Sequence, residues 1–332
     1  VHSTPRRLLG GILATGLALT AAGCGSNDDS SPAAAADAGW EFTDDRGVTV
    51  TLDEAPDRVA GINDVVSSLW NYGIAPVATF GQTSAADDVS FADRDLSDVE
   101  IAGTTYGEID LEALAAADPD VIVTSVYPTD TEGTLDLEQP LYGIASMEQQ
   151  EQLEAIAPIV AIAWSGSAAD VIERTADLAV SLGADEGEIA DLRADYDDAA
   201  AALTEAAAGG VTVLPVAAYA GEGFYMAKAA DDPSLRLYSD LGVQFVDPGG
   251  SDYYWQTAGW ESITDYPSDV LLYSLRGAMT PEEMSTQPTY GLLPAVQADQ
   301  VHPWEYQGMD YPAQAGYMER LAGWLTDSQK VT

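Results

Sequence analysis

Apolar and polar positions along this chain fall into blocks whose period changes. Over residues 42–52 they alternate one by one about an Arg46-Gly47 step, which predicts a β-hairpin. Pro56-Asp57-Arg58 then leads into a short apolar strand at Val59-Ala60. Residues 64–72 have helical spacing and end at Gly73, and 75–80 predict the next strand. Ile109-Asp110-Leu111-Glu112-Ala113-Leu114 opens a helix with Asp110 as its N-cap, and Asp118-Pro119-Asp120 ends it. Residues 121–125 and 160–163 are continuous apolar runs of the kind that form buried strands. Residues 187–208, rich in Ala, Glu, Asp and Leu without internal Pro, predict one long helix stopped by Gly209-Gly210. The alternation then restarts. A strand over 211–218 is expected to break at Pro215, a helix spans 233–241, a short helix begins at 261, a strand covers 270–273, and a terminal helix covers 313–325.

Strands separated by helices imply α/β lobes with parallel pairing. The predicted fold class is therefore α/β, with two Rossmann-like lobes (40–186 and 210–332) joined by one long backbone helix (187–209) and a ligand cleft between them. Parallel sheets take ligands beyond the carboxyl ends of their strands. The informative residues are those just after strands.

The start of the chain reads as an address. Arg6 and Arg7 precede an uncharged run over 8–22 that is too short and too rich in small residues for a comfortable membrane span. Residues 1–23 are expected to be a secretory signal peptide. Ala21-Ala22-Gly23-Cys24 resembles a bacterial lipobox, with Ala21 where leucine is usual. The resemblance implies cleavage before Cys24 and lipid on its sulfur, hence export and anchorage to the outer face of the cytoplasmic membrane. Cys24 is the only cysteine, so no intrachain disulfide forms. Residues 24–39 read as a flexible tether.

The formal net charge is −43, and Lys228 and Lys330 are the only lysines. Phosphate backbones need a cationic surface, which excludes nucleic acid as a partner. Anionic headgroups are repelled as well, leaving the lipid as the only membrane attachment. Such a surface is either an adaptation for solubility and salt or a field favouring neutral and cationic ligands.

Four stretches together resemble one family. They are Asp45-Arg46-Gly47 with Pro56-Asp57-Arg58-Val59; Asp110-Leu111-Glu112-Ala113-Leu114 with Pro119-Asp120-Val121-Ile122; Trp260-Glu261-Ser262-Ile263 with Asp269-Val270-Leu271-Leu272; and the run from Leu293-Pro294-Ala295 to Asp299-Gln300-Val301. Over residues 40–328 the chain is similar to the periplasmic-binding family of the iron-siderophore, haem and cobalamin importers. The resemblance implies a rigid interlobe helix with little closing motion, and capture of a small ligand for an ABC permease and its ATPase. It also implies that Glu112 and Glu261, one in each lobe, dock onto permease arginines. An acid near a helix start otherwise serves the helix dipole alone.

A ferric siderophore is bulky, partly apolar and rich in surface oxygen, so aromatic walls and a few donors suit it better than direct metal ligands. Tyr106, Tyr127, Trp164, Tyr225, Trp255, Thr257, Arg276, Trp304 and Tyr306 are the candidates, all expected in loops beside or after strands. The family places an aromatic at the position of Tyr106 in cobalamin binders. It places a tyrosine at that of Tyr127, and a tryptophan and hydroxyl pair like Trp255 and Thr257, in hydroxamate binders. A lone Trp or Tyr is more often core or rim than ligand wall, and Arg276 is as free to pair with a nearby acid as to meet a ligand. Hydroxamate binders usually carry an arginine before the Glu112 helix, where this chain has Gly103-Thr104-Thr105. Catecholate binders use arginine clusters, which are lacking here. The favoured load is a neutral or cationic ferric trihydroxamate, an iron chelate carried by a monomer without a resident cofactor or metal. Haem and cobalamin stay as alternatives.

Competing classes are weaker. His302 is the only histidine outside the signal segment, and no nucleophile elbow or phosphate-binding loop is present. A secreted hydrolase built on paired carboxylates stays open, although no spacing points to one. A bare-metal binder needs several histidines. The acidic loop of Asp87, Asp88, Asp93, Asp95 and Asp98 lacks the spacing and glycine of a calcium hand.

Overall fold

The computed structural model describes residues 39–332 apart from Gly277 and Gln307. The expected signal segment, the lipidation site Cys24 and nearly all of the tether lie outside the described residues. No helix among the described residues is long and apolar enough to cross a membrane.

The predicted hairpin is present as β1 (Trp40–Thr43) and β2 (Thr49–Leu52), paired antiparallel. Its turn is fastened to the first lobe by two neighbouring acids. Asp44 accepts from the amides of Arg46, Val48 and Ala161 and pairs with the Arg46 side chain at 2.7 Å. Asp45 pairs with Arg174 at 2.8 Å.

The first lobe contains β3 (Val59–Ile62), α1 (Asn63–Asn71), β4 (Pro76–Phe80), β5 (Glu100–Ile101), α2 (Leu111–Ala116), β6 (Val121–Val126), α3 (Met147–Glu154), β7 (Ile159–Ala163) and α4 (Ala168–Ser181). Its five strands are all parallel, in the order β5-β4-β3-β6-β7. Every residue of β3 and β6 is buried, as strands covered on both faces require. Gly61 is the point of closest approach between them, since a Cβ there would sit 2.2 Å from the Val123 carbonyl oxygen. Asp110 caps α2 as expected, accepting from the amides of Glu112 and Ala113.

The chain then runs through α5 (Glu186–Ala207) into the second lobe. This lobe holds β8 (Thr212–Tyr219), β9 (Gly223–Ala227), α6 (Pro233–Asp240), β10 (Gln244–Phe245), β11 (Trp255–Ala258), β12 (Val270–Ser274), α7 (Pro281–Met284), α8 (Pro294–Gln297), β13 (Val301–Trp304) and α9 (Tyr311–Asp327). Strand order is β11-β9-β8-β12-β13, with β10 pairing the start of β8.

Three expectations change here. The second sheet is mixed rather than parallel, because β8–β9 and β9–β11 are antiparallel. Trp255 and Thr257 lie on strand β11 and Trp304 closes strand β13, so none of the three is a loop residue. Finally, β8 runs unbroken through Pro215. Val213 bonds β10 through its carbonyl, and Pro215, two residues on, turns its nitrogen to the same flank. There β10 pairs only as far as Val213 and pairing with β9 starts at Val216, so no ladder bond is missing.

The long helix is braced by the last one. The buried residues of α5 are Ile189, Tyr196, Ala199, Leu203 and Ala207, a helical stripe that meets α9. Tyr196 and Tyr311 touch edge to face at 5.3 Å. The start of α9 also reaches the first lobe: Asn71 donates to Asp310 at 3.0 Å, and the Tyr311 amide donates to the Tyr72 hydroxyl at 2.9 Å.

Asp310 caps α9 through Ala313 N, and burial pushes its carboxyl up to about 6. A carboxyl raised above its unfolded value contributes stability at low pH that is lost as pH rises through the folded-state value. Asp310→Asn keeps a capping oxygen and removes this titration. The expected gain over the parent is small near pH 4 and grows to on the order of 2 kcal/mol by pH 7.5. Urea unfolding of both proteins across that range checks it; a pH-independent difference contradicts it.

Candidate functional site

The carboxyl ends of the two sheets face each other across a cavity of about 390 Å³. From the first lobe come Tyr127, one residue past β6, Tyr142 from the irregular segment before α3, and Trp164, one residue past β7. From the second lobe come Tyr254 and Trp255 at the start of β11, Trp304 at the end of β13, and Arg276 and Tyr306 in the loops after β12 and β13. The rule that ligand groups follow strands therefore assembles most of this wall.

The rings form two contacting groups. Tyr127 lies 4.6 Å from Tyr142 and 5.5 Å from Trp164, while Trp164 stacks on Tyr306 at 5.2 Å with 9° between planes. In the second lobe Trp255 meets Tyr254 at 4.8 Å and Trp304 at 6.1 Å. Trp164 is only 2% exposed, so part of its ring is core as well as wall.

Two polar contacts tie the lobes together at the base of the cavity. The Tyr127 and Tyr306 hydroxyls are 2.9 Å apart. The Arg276 guanidinium donates to Asp64, the second residue of α1, and lies over the Tyr306 ring at 3.3 Å from its centroid. Arg276 thus takes the option of pairing with an acid. Burial works against its charge, but Asp64 and the nearby tyrosines more than restore it, and Arg276 remains a cation. Burial also lifts the Asp64 carboxyl above its usual range, with Arg276 opposing that shift.

The remaining polar groups are acids and phenols. Asp232 caps α6 and accepts the Tyr254 hydroxyl at 2.7 Å; burial raises its carboxyl. Tyr254 has φ 65°, an unusual conformation for a bulky residue, and that hydrogen bond together with Trp255 holds it there. Burial pushes Tyr142 up to about 12, and Tyr127, Tyr254 and Tyr306 well above the ordinary phenol range. These hydroxyls stay protonated, and that of Tyr254 is committed to Asp232. Lys228 lies outside the wall and donates to the carbonyls of Gly250 and Asp252; among the described residues Arg276 is the one cation in the wall. The wall has no histidine; His302 stacks on Trp324 at 4.7 Å instead. No group of three or more His, Cys, Asp or Glu among the described residues is placed to hold a metal ion.

Three candidates stand outside the wall. Tyr106 is 48% exposed and touches Tyr142 edge to face at 5.4 Å, which puts it at the rim. Tyr225 and Thr257 are opposite each other on β9 and β11, on the sheet face that carries Trp255 but one row farther out. The Tyr225 hydroxyl donates to Glu222 at 2.6 Å. Conversely, Asp64, Gln82, Tyr142, Asp232 and Tyr254 belong to this site or its edge and were not among the expected residues. The after-strand rule reaches Asp64, and an acid before Pro233 is a cap signal. Nothing periodic marks Tyr142, and the turn at Tyr254 has no sequence signature. Glu112 and Glu261 are both exposed near helix starts, Glu112 in α2 and Glu261 in the 3-10 helix Trp260–Asp265.

Two α/β lobes, one bridging helix and an aromatic cavity at the facing strand ends define a bilobal binding protein. A family model described as periplasmic binding protein matches residues 64–306, and the chain belongs to that family. Among solved structures it is similar to DesE, a ferric-siderophore receptor protein from Streptomyces coelicolor: 30% identity over 88% of this chain and 100% of that one, TM-score 0.77. The same fold recurs at lower identity. The siderophore periplasmic binding protein from the fuscachelin gene cluster of Thermobifida fusca is 22% identical over 81% of this chain and 96% of that one, TM-score 0.60. FhuD2 from Staphylococcus aureus with bound ferrioxamine B is 17% identical over 81% and 98%, TM-score 0.56. No curated protein sequence matches the chain. The family binds rather than catalyses, which sets aside the carboxylate-dependent hydrolase.

Arg276→Ala leaves the Asp64 carboxylate buried without its cation. The expected cost is about 3 kcal/mol at pH 7.5. Because the Asp64 carboxyl is raised in the folded state, protonation relieves the defect, and the cost shrinks toward pH 4. Urea unfolding at both pH values checks this; an equal loss at each contradicts it.

Proposed function

We propose that this chain captures a ferric siderophore outside the cytoplasm and delivers it to the permease of an ABC importer, with a neutral or cationic ferric trihydroxamate as the favoured load. The observation that carries the reading is the cavity wall, which offers aromatic rings and protonated hydroxyls around a single arginine already paired with Asp64. Such a wall suits a chelate whose iron is already saturated and whose surface is apolar and oxygen-rich. A strongly anionic catecholate complex calls for several free cations, and the wall has none. The likeness to a ferric-siderophore receptor at 30% identity supports the same load.

In this reading the protein works as a monomer and has no resident cofactor; iron arrives and leaves as cargo. Tyr127, Trp164, Trp255, Arg276, Trp304 and Tyr306 hold the chelate, with Tyr106, Tyr225 and Thr257 at the rim. Glu112 and Glu261 dock on the permease, whose ATPase drives release. Cys24 carries the lipid that keeps the protein at the outer membrane face.

Tryptophan fluorescence tests the load. Titration with ferrioxamine B, ferrichrome, a ferric catecholate, ferric citrate, haemin and cobalamin is expected to give saturable quenching with the trihydroxamates. Trp255→Ala should weaken their binding about tenfold or more. Saturable quenching by haemin or cobalamin alone would transfer the site to those ligands. Reversal of both docking acids, Glu112→Lys with Glu261→Lys, should leave the titration unchanged and reduce chelate uptake at least about tenfold. Uptake at the parental rate would remove the docking role.

A further inference from the structure

The cleft has an unusual distribution of charge. A second cavity of about 320 Å³ adjoins the first at Gln82, Arg276 and Tyr306, and its wall includes Asp64, Asp87 and Asp88. Asp232 lies in the wall of the main cavity. Among the described residues Arg276 is the only cation in either wall.

That cation faces the cavity with its charge already countered. Asp64 is 6% exposed and receives the guanidinium from across the interlobe gap, while the Tyr306 ring covers one face of it. The geometry is fixed from the Asp64 side. Asp64 sits in the first turn of α1, directly after β3, and its carbonyl accepts from the Ser68 hydroxyl at 3.2 Å. A buried pair is little screened by salt, so its cancellation persists at ordinary ionic strength.

We propose that Asp64 sets the charge selectivity of this cleft: by pairing with Arg276 it cancels the only cation in the wall, so that cationic and neutral chelates are preferred over anionic ones. The inference rests on the siderophore reading above and adds to it the residue that decides between chelates of equal shape. Without Asp64 the guanidinium becomes a net positive charge beside the ligand, and anionic chelates gain. Asp64 acts through Arg276, which makes it a positioning residue.

The test holds the iron core constant and varies only the charge. Ferrioxamine B carries a protonated amine; its N-acetyl derivative is neutral and its N-succinyl derivative is anionic. Affinities of all three are measured for the full chain and for Asp64→Asn. The parent is expected to prefer the cationic form. In Asp64→Asn the ratio of cationic to anionic affinity should fall roughly tenfold or more. An unchanged ratio with binding retained overturns the role of Asp64. If that variant does not fold, Arg276→Gln decides: removing the cation leaves Asp64 uncompensated and should sharpen the cationic preference, and an unchanged ratio or a shift toward the anionic form overturns the proposal. Failure of all three probes to bind the parent overturns the siderophore reading, and this inference with it, whereas unequal binding that ignores both substitutions removes only the inference.

Discussion

The structure depends on the packing of α5 against α9. A helix of 22 residues is about 33 Å long and, with its many exposed acids, has no reason to stay rigid alone. Its stripe of Ile189, Tyr196, Ala199, Leu203 and Ala207 finds an apolar partner in α9, where Ala315, Met318, Ala322 and Leu325 are buried. Small residues on both helices permit close approach. Because α9 also docks on α1 through Asp310 and Tyr311, one helix pair is attached to both lobes.

Within this frame a short chain of contacts crosses the cleft itself. Asp64 pairs with Arg276, Arg276 covers Tyr306, and Tyr306 in turn meets Tyr127 through their hydroxyls and stacks on Trp164. Each is a group that also faces the cavity or its annex. Residues that cross the cleft therefore also line its cavities. Any load that enters must be compatible with them or replace their contacts with equivalent ones.

Much of this was legible in the sequence wherever the physics was local. The hairpin at residues 40–52, the buried runs of β6 and β7, the Asp110 cap and the long helix followed from period and capping. The after-strand rule located Tyr127, Trp164, Arg276 and Tyr306. What escaped was non-local. Antiparallel pairing of β9 and β11 depends on which strand returns to which edge, and period alone does not encode it. Reading Trp255 as a loop residue followed from the polar residues around it, although an edge strand tolerates them. Tyr142 and Tyr254 reach the cavity through turns whose geometry is set by contacts distant in sequence. The helix α4 has an apolar stripe at Val171, Ile172, Thr175, Leu178 and Ala179 that a strand-led reading passes over.

Pro215 has a consequence for how the second sheet assembles. Strand β8 presents one flank to two partners, β10 at its start and β9 at its end. A uniform flank would let the β8–β9 hairpin zip farther, and such a shift would displace the short β10. The hairpin ladder instead halts at Val216 opposite Met226, because the next position has no hydrogen to donate. The proline acts as a stop in the zipper and reserves the first half of the flank for a strand that follows α6 in the chain.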